Sequence, residues 1–346
     1  MRALFLPLYD RKWASSRCRV YLYKKKLEEY SIKVNILSPP NPNIYSRGFY
    51  VFRIFYLLLW ADLIYIQKKI FPPFFFSVIR ILNNKLIFDF DDAIFACPTS
   101  VDPYLFNAEC NEKKLGNVLK KCRHIVTGNS YLSQFAKKYN SHITIVPTPV
   151  DHELFSPVLP KTADASLERK GGKVVLGWVG KSENLVYLDL VKEALQEISN
   201  IRQNLIILKI VCDQPYFIKG VDVLNQPWDI KNEVDNLRSI DIGLMPLIDD
   251  EWSRGKCSFK AIQFMCLGIP VVISPVGTNK EIVSHGINGY FANTKEEWTK
   301  RLLNLIDDEK TRREFGLAGR EFVIAKHTYE VTTPILVKVL RGVFCD

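Results

Sequence analysis

The 346-residue sequence holds eight cysteines, at 18, 97, 110, 122, 212, 257, 266 and 345, but no Cys-x-x-Cys pair and no cysteine–histidine cluster at zinc spacing. A chain this long needs no disulfide staples, so reduced, mostly buried thiols and a cytosolic setting are expected. The five histidines form no cluster. Neither a Gly-x-Ser-x-Gly elbow nor a Walker-type phosphate loop occurs. Internal repeats and low-complexity tracts are absent. A clean apolar run of about 18–20 residues is missing as well. The most apolar stretch, residues 49–66, is interrupted by Arg53 and Asp62. The opening MRALFLPLYDRKW lacks a small-residue cleavage site and reads better as a first buried strand than as a signal peptide.

What the second half lacks is net charge. Residues 156–346 carry 25 Lys/Arg and 25 Asp/Glu, whereas residues 1–155 carry 22 and 12, so the whole +10 excess sits in the first half. Two modules with different partners are expected, with a merely solvated basic surface as the plainer reading. Lys68 and Lys69 lie between two aromatic-rich runs, 49–66 and 70–82, a composition that suits either a membrane surface or core helices.

Short apolar runs alternate with amphipathic segments. Strands are expected near 2–8, 33–37, 63–66, 85–90, 124–127 and 143–146, with helices near 17–30, 49–60, 73–83, 112–121 and 130–139. A second series places strands near 173–179, 205–211, 221–224, 241–245 and 270–274, with helices near 185–199, 230–238 and 258–267. This alternation predicts an α/β protein with parallel sheets covered on both faces. The polar, aperiodic stretch 156–172 reads as a linker. It divides a domain over 1–155 from one over 173–328, and a last helix over 329–346 is expected to cross back to the first domain. Two doubly wound, Rossmann-like domains facing a central cleft would bind ligand at the carboxyl ends of their strands.

The most informative stretch is 249–291. Arg254, Lys256 and Lys260 crowd a helix start, where free N–H groups and the dipole already favour an anion. Cations there oppose the dipole unless phosphate fills the site. Lys260 and Gln263 share a helix face, suited to a phosphate and a ribose hydroxyl. Gly277, Thr278 and Asn279 can bring backbone amides to a phosphate. The alternative is a solvated basic helix start with an ordinary turn.

At this point the residues resemble a known family. SFKAIQFMCLGIPVV followed by PVGTNKEIVSHGINGYF is similar to the donor-binding segment of family-4-type glycosyltransferases of the GT-B fold. That family has two glutamates eight residues apart. This chain has Gly255 at the first position and Gln263 at the second. Gly255-Lys256-Cys257-Ser258-Phe259-Lys260 resembles a branch with a Gly-Lys-Cys-x-Phe-Lys run. Segments 14–23, 87–95, 125–140, 145–157 and 177–188 resemble the same branch in the same order.

The resemblance implies a retaining transfer of a sugar from a nucleotide-sugar donor to a hydroxyl acceptor, with no protein-bound metal. It implies donor contacts at Lys181, with Ser182 beside it, and at Glu281, although helix capping explains Glu281 nearly as well. It also implies a sugar-side role for Asp91, with Asp92 as its near rival. From spacing alone, Asp89, Asp91 and Asp92 are expected to crowd one strand end and raise each other's pKa values, which suits a general base. An Asx-turn is the plainer reading. Ser15, Ser16 and Arg17 either begin the first helix as caps or aim at a phosphate across the cleft. The expected acceptor is a glycan or lipid-linked molecule, docked on a basic domain able to touch an anionic membrane at the cytoplasmic face. Nucleic acid is not expected. Two other readings stay open: a GT-B-like sugar-nucleotide epimerase, and a non-catalytic binder of anionic membrane or nucleic acid.

Overall fold

A computed structural model describes residues 1–40, 44–157, 172–203 and 205–345. The expected linker therefore lies outside the described residues over 158–171.

The first half forms strands β1 (Arg2–Pro7), β2 (Lys33–Ile36), β3 (Leu63–Gln67), β4 (Leu86–Phe90), β5 (His124–Thr127) and β6 (Ile143–Ile145). They make one parallel sheet in the order β2-β1-β3-β4-β5-β6. The second half adds β7 (Val174–Val179), β8 (Ile206–Cys212), β9 (Val223–Pro227), β10 (Ile242–Met245), β11 (Val271–Ile273) and β12 (Gly289–Phe291). Their order is β12-β11-β10-β7-β8-β9, again all parallel. Both sheets follow doubly wound orders, with crevices at β1/β3 and at β7/β10.

Central strands β3, β4 and β7 are buried along their whole length, the expected state of parallel strands with helices on both faces. On one face of the first sheet, Leu6, Ile66, Phe88 and Phe90 pack against Ile54, Leu57, Phe76 and Leu119. On the other, Phe5, Tyr65 and Val126 pack against Tyr23, Tyr329, Leu336 and Leu340. The helix Tyr329–Cys345 thus lies on the first domain although it follows the second. The Tyr329 hydroxyl donates to the Cys18 carbonyl at 2.9 Å and the Tyr23 hydroxyl to Thr332 Oγ1 at 2.7 Å.

Some elements were not among those expected. Gly289–Phe291, where no strand is expected, is edge strand β12. Helices Lys295–Asp307 and Glu309–Lys326 cover the second sheet through Trp298, Leu302 and Phe315. Among the described residues no helix is long and apolar enough to cross a membrane.

Candidate active site

The helix after β1 starts at Ala14 and passes through a π-helical turn over Arg17–Tyr21. Such turns cluster at functional sites. Its N-cap is Trp13, with no side-chain cap, so the serines do not act as caps. Ser15 instead donates to Asp91 Oδ1 at 2.8 Å and accepts from Gln67 Nε2 at 2.9 Å. Buried Ser16 donates to Gln67 Oε1 at 2.8 Å.

The carboxylates at the end of β4 are not left to repel one another. Asp89 is fully buried in an ion pair with Arg19, whose Nε lies 2.9 Å from Asp89 Oδ2. Asp91 is 3.2 Å from Lys68 Nζ, and the same ammonium holds Asp92. Burial pushes the Asp91 carboxyl up, but Lys68 and then Arg19 outweigh it and hold the group below its ordinary value. This corrects the expected rise: Asp91 is an ionised, paired carboxylate, and its basicity is low. Asp89, by contrast, is raised by burial.

On the facing side, the eight-residue helix Phe259–Cys266 begins after Ser258, whose φ of 53° lies in the left-handed region. Lys260 Nζ sits 3.2 Å from Gln263 Oε1, as the helical spacing predicts. Gln263 is fully buried and donates to Glu233 Oε1 at 3.2 Å. Glu233 Oε2 in turn meets Arg17 Nη2 of the other domain at 2.6 Å. Three expected site residues thus converge on Glu233, which was not among the candidates. It starts the helix Glu233–Arg238 and is itself buried. Burial lowers the Lys260 pKa, Glu233 opposes the fall and Arg17 adds to it.

Lys256 Nζ lies 3.3 Å from Asn184 Oδ1 and over the rings of Trp252 and Tyr187, at 5.3 and 5.6 Å. Burial lowers its pKa, although Asp92 across the cleft opposes the fall. Lys181 follows β7 and places its ammonium 3.0 Å above the Trp13 ring, another contact between the domains. Ser182 is committed to Asp213 through its amide at 2.8 Å and its hydroxyl at 2.9 Å. Exposed Arg254 pairs with Asp249 at 2.7 Å, apart from the Lys260 group.

Gly277 has φ +50°, and a Cβ there would run into the Arg254 backbone at 2.6 Å from its carbonyl oxygen. Thr278 Oγ1 is buried with no hydrogen-bond partner, whereas the Asn279 side chain is spent on Ser258, at 2.6 Å, and the Ser274 carbonyl, at 2.8 Å. Glu281 accepts from Ser130 of the first domain.

The Gly-Lys-Cys run is the seam between the domains. Asn129 Nδ2 donates to the carbonyls of Gly255 and Lys256 at 3.0 and 3.2 Å. The Cys257 thiol donates to the Asp91 carbonyl at 3.2 Å. A Cβ on Gly255 would fall 2.8 Å from the Ala93 nitrogen and nearer still to its Cβ. A glutamate has no room at this position while the domains are in this arrangement. Among the described residues no group of three His, Cys, Asp or Glu side chains is arranged to hold a metal ion.

Residues 173–308 match the family model described as "Glycosyl transferases group 1". The whole chain overlays solved GT-B structures. Sucrose-phosphate synthase from Thermosynechococcus elongatus is 13% identical, with a TM-score of 0.73 and 100% of both chains covered. HepE from Anabaena, solved with UDP and glucose, is 14% identical, with a TM-score of 0.71 over 99% of this chain and 100% of that one. A glycosyltransferase from Rickettsia africae is 12% identical, with a TM-score of 0.67 over 99% and 98%. A sequence comparison with curated proteins gives no match. The fold is GT-B, and its second half carries the match to the glycosyltransferase family model.

Proposed function

We propose that the protein moves a sugar from a nucleoside-diphosphate donor to the hydroxyl of a glycan or lipid-linked acceptor, with retention of anomeric configuration, at the cytoplasmic side of a membrane in cell-envelope glycan or glycolipid synthesis. The observation that carries the reading is the convergence of Arg17 of the first domain and Lys260 and Gln263 of the second on Glu233, with Lys181 over Trp13 as a further contact between the domains.

In this reading Lys260, Lys256, Lys181 and Arg17 offset the charge of the leaving diphosphate without a protein-bound metal. Arg254 and the amides at Gly277 and Thr278 flank the phosphates, and Gln263 with Glu233 faces the ribose hydroxyls. Asp91 supplies fixed negative charge beside the anomeric carbon, held in place by Lys68 and Ser15. The bond from that carbon to the diphosphate oxygen breaks and the bond to the acceptor oxygen forms on the same face. The acceptor proton passes to the departing diphosphate oxygen, which gains basicity as its bond breaks. A thermal-shift panel of UDP, GDP, CDP and ADP sugars tests the assignment. Stabilisation by one nucleotide class is expected, and no shift with any of them refutes it.

A further inference from the structure

The helix Ile44–Trp60 is apolar on two opposite sides. Ile54, Leu57 and Leu58 are buried against the sheet. Phe52, Phe55, Tyr56 and Leu59 recur at helical spacing on the outside, where Phe52 is 74% and Leu59 71% exposed. The next helix, Pro73–Leu82, repeats the arrangement: Phe76 and Ile79 face inward, while Phe74 and Ile81 are 81% and 82% exposed. Phe55 and Phe75 meet edge to face at 6.3 Å, so the two outer stripes form one surface. Soluble proteins seldom leave a patch of this kind uncovered.

Charge selects the occupant. Neither helix contains an Asp or Glu, while exposed Arg53 and Arg80 lie within the patch. Lys69 lies at the root of the two helices. Its ammonium is 2.8 Å from the Tyr50 hydroxyl and 4.8 and 4.9 Å from the Tyr50 and Phe71 rings. Among the described residues it has no carboxylate partner. Its neighbour Lys68 is the cation that holds Asp91 and Asp92. One backbone step therefore separates the apolar surface from the mouth of the cleft.

We infer that the joined outer faces of helices 44–60 and 73–82 are a docking surface for an anionic lipid bilayer, into which Phe52, Leu59, Phe74 and Ile81 insert while Arg53 and Arg80 meet headgroup phosphates. This deepens the membrane-side part of the function above and gives it a place. Seated this way, the protein presents its cleft to a lipid-linked acceptor without extracting it from the bilayer.

The test is cosedimentation of the full chain with vesicles of phosphatidylcholine alone or mixed with phosphatidylglycerol. Binding to the mixed vesicles only, weakened by salt, is expected. Phe52→Ser with Phe74→Ser should lower it by about tenfold or more while thermal stability and donor binding in solution stay unchanged, because both side chains are already in water. Arg53→Glu with Arg80→Glu should abolish the preference for phosphatidylglycerol. Absence of binding to the mixed vesicles, or equal binding by both double variants, overturns the inference. So does a dimer in sedimentation velocity that the serine variant dissociates, which would assign the surface to a second copy of the chain. Donor binding is read separately, so failure here leaves the transferase reading standing and failure there leaves this one.

Discussion

Replacing Gly255 by alanine isolates the contact between the two domains. The residue has φ −78° and ψ −10°, so alanine fits its backbone without strain and each domain should be as stable as before or slightly more so. The added Cβ has no such freedom, because Ala93 backbone lies on the other side. Carbon contacts settle at about 3.5–4.0 Å, so the seam must open by roughly 1 Å. That displacement breaks the two bonds from Asn129 and the one from Cys257 to Asp91, which start at 3.0, 3.2 and 3.2 Å. At about 1 kcal/mol each, the apposed arrangement loses about 2–3 kcal/mol. This corresponds to roughly a 30- to 150-fold fall in its population relative to an opened one. Paired labels on the two domains, read by fluorescence transfer, should show a longer mean separation. Once the sugar panel names the donor, turnover should fall by a similar factor while donor affinity changes little. Unchanged separation together with full turnover would refute the reasoning.

Lys260→Ala should weaken nucleoside-diphosphate binding by about tenfold or more in calorimetry with the fold intact; unchanged affinity removes the helix start from the donor site. Asp91→Asn should cut turnover with little change in donor affinity, and full activity would move the role to Asp92 or elsewhere. Asp89→Asn leaves Arg19 buried without its partner and should cost about 3–5 kcal/mol in urea unfolding. Burial lowers the Lys69 ammonium to about 8. Between that value and the ordinary lysine range the unfolded chain binds one more proton, so stability should rise with pH across this window. Lys69→Met should flatten that rise in pH-dependent melts.

Every strand but β12 was legible in the sequence, and the clearest are those buried on both faces. β1, β3, β4 and β7 are nearly unbroken apolar runs, and each lies within two residues of its expected place. β12 was hidden because three residues beside two glycines carry no period. The helix Lys295–Asp307 did carry a readable signal, since Thr294 and Glu297 form a capping box at their sequence spacing. In the site, the Lys260–Gln263 pair was legible because both residues sit on one helix. Glu233, Asn129, Lys68 and Trp13 were not, because their partners lie up to 216 residues away and leave no pattern in the chain. The error over Asp91 has the same origin. Neighbouring carboxylates are visible in sequence, but the Lys68 and Arg19 cations that neutralise them arrive through the fold.

The helix Tyr329–Cys345 sets an order of events during synthesis. Residues of the first domain leave the ribosome early, but Phe5 and Tyr65 on one sheet face, with Tyr23 beside them, lack the cover of this helix until it emerges. The second domain has all of its strands by Phe291 and can collapse first. The half made first is therefore finished last. Through that interval its open sheet face is the surface a chaperone would have to shield.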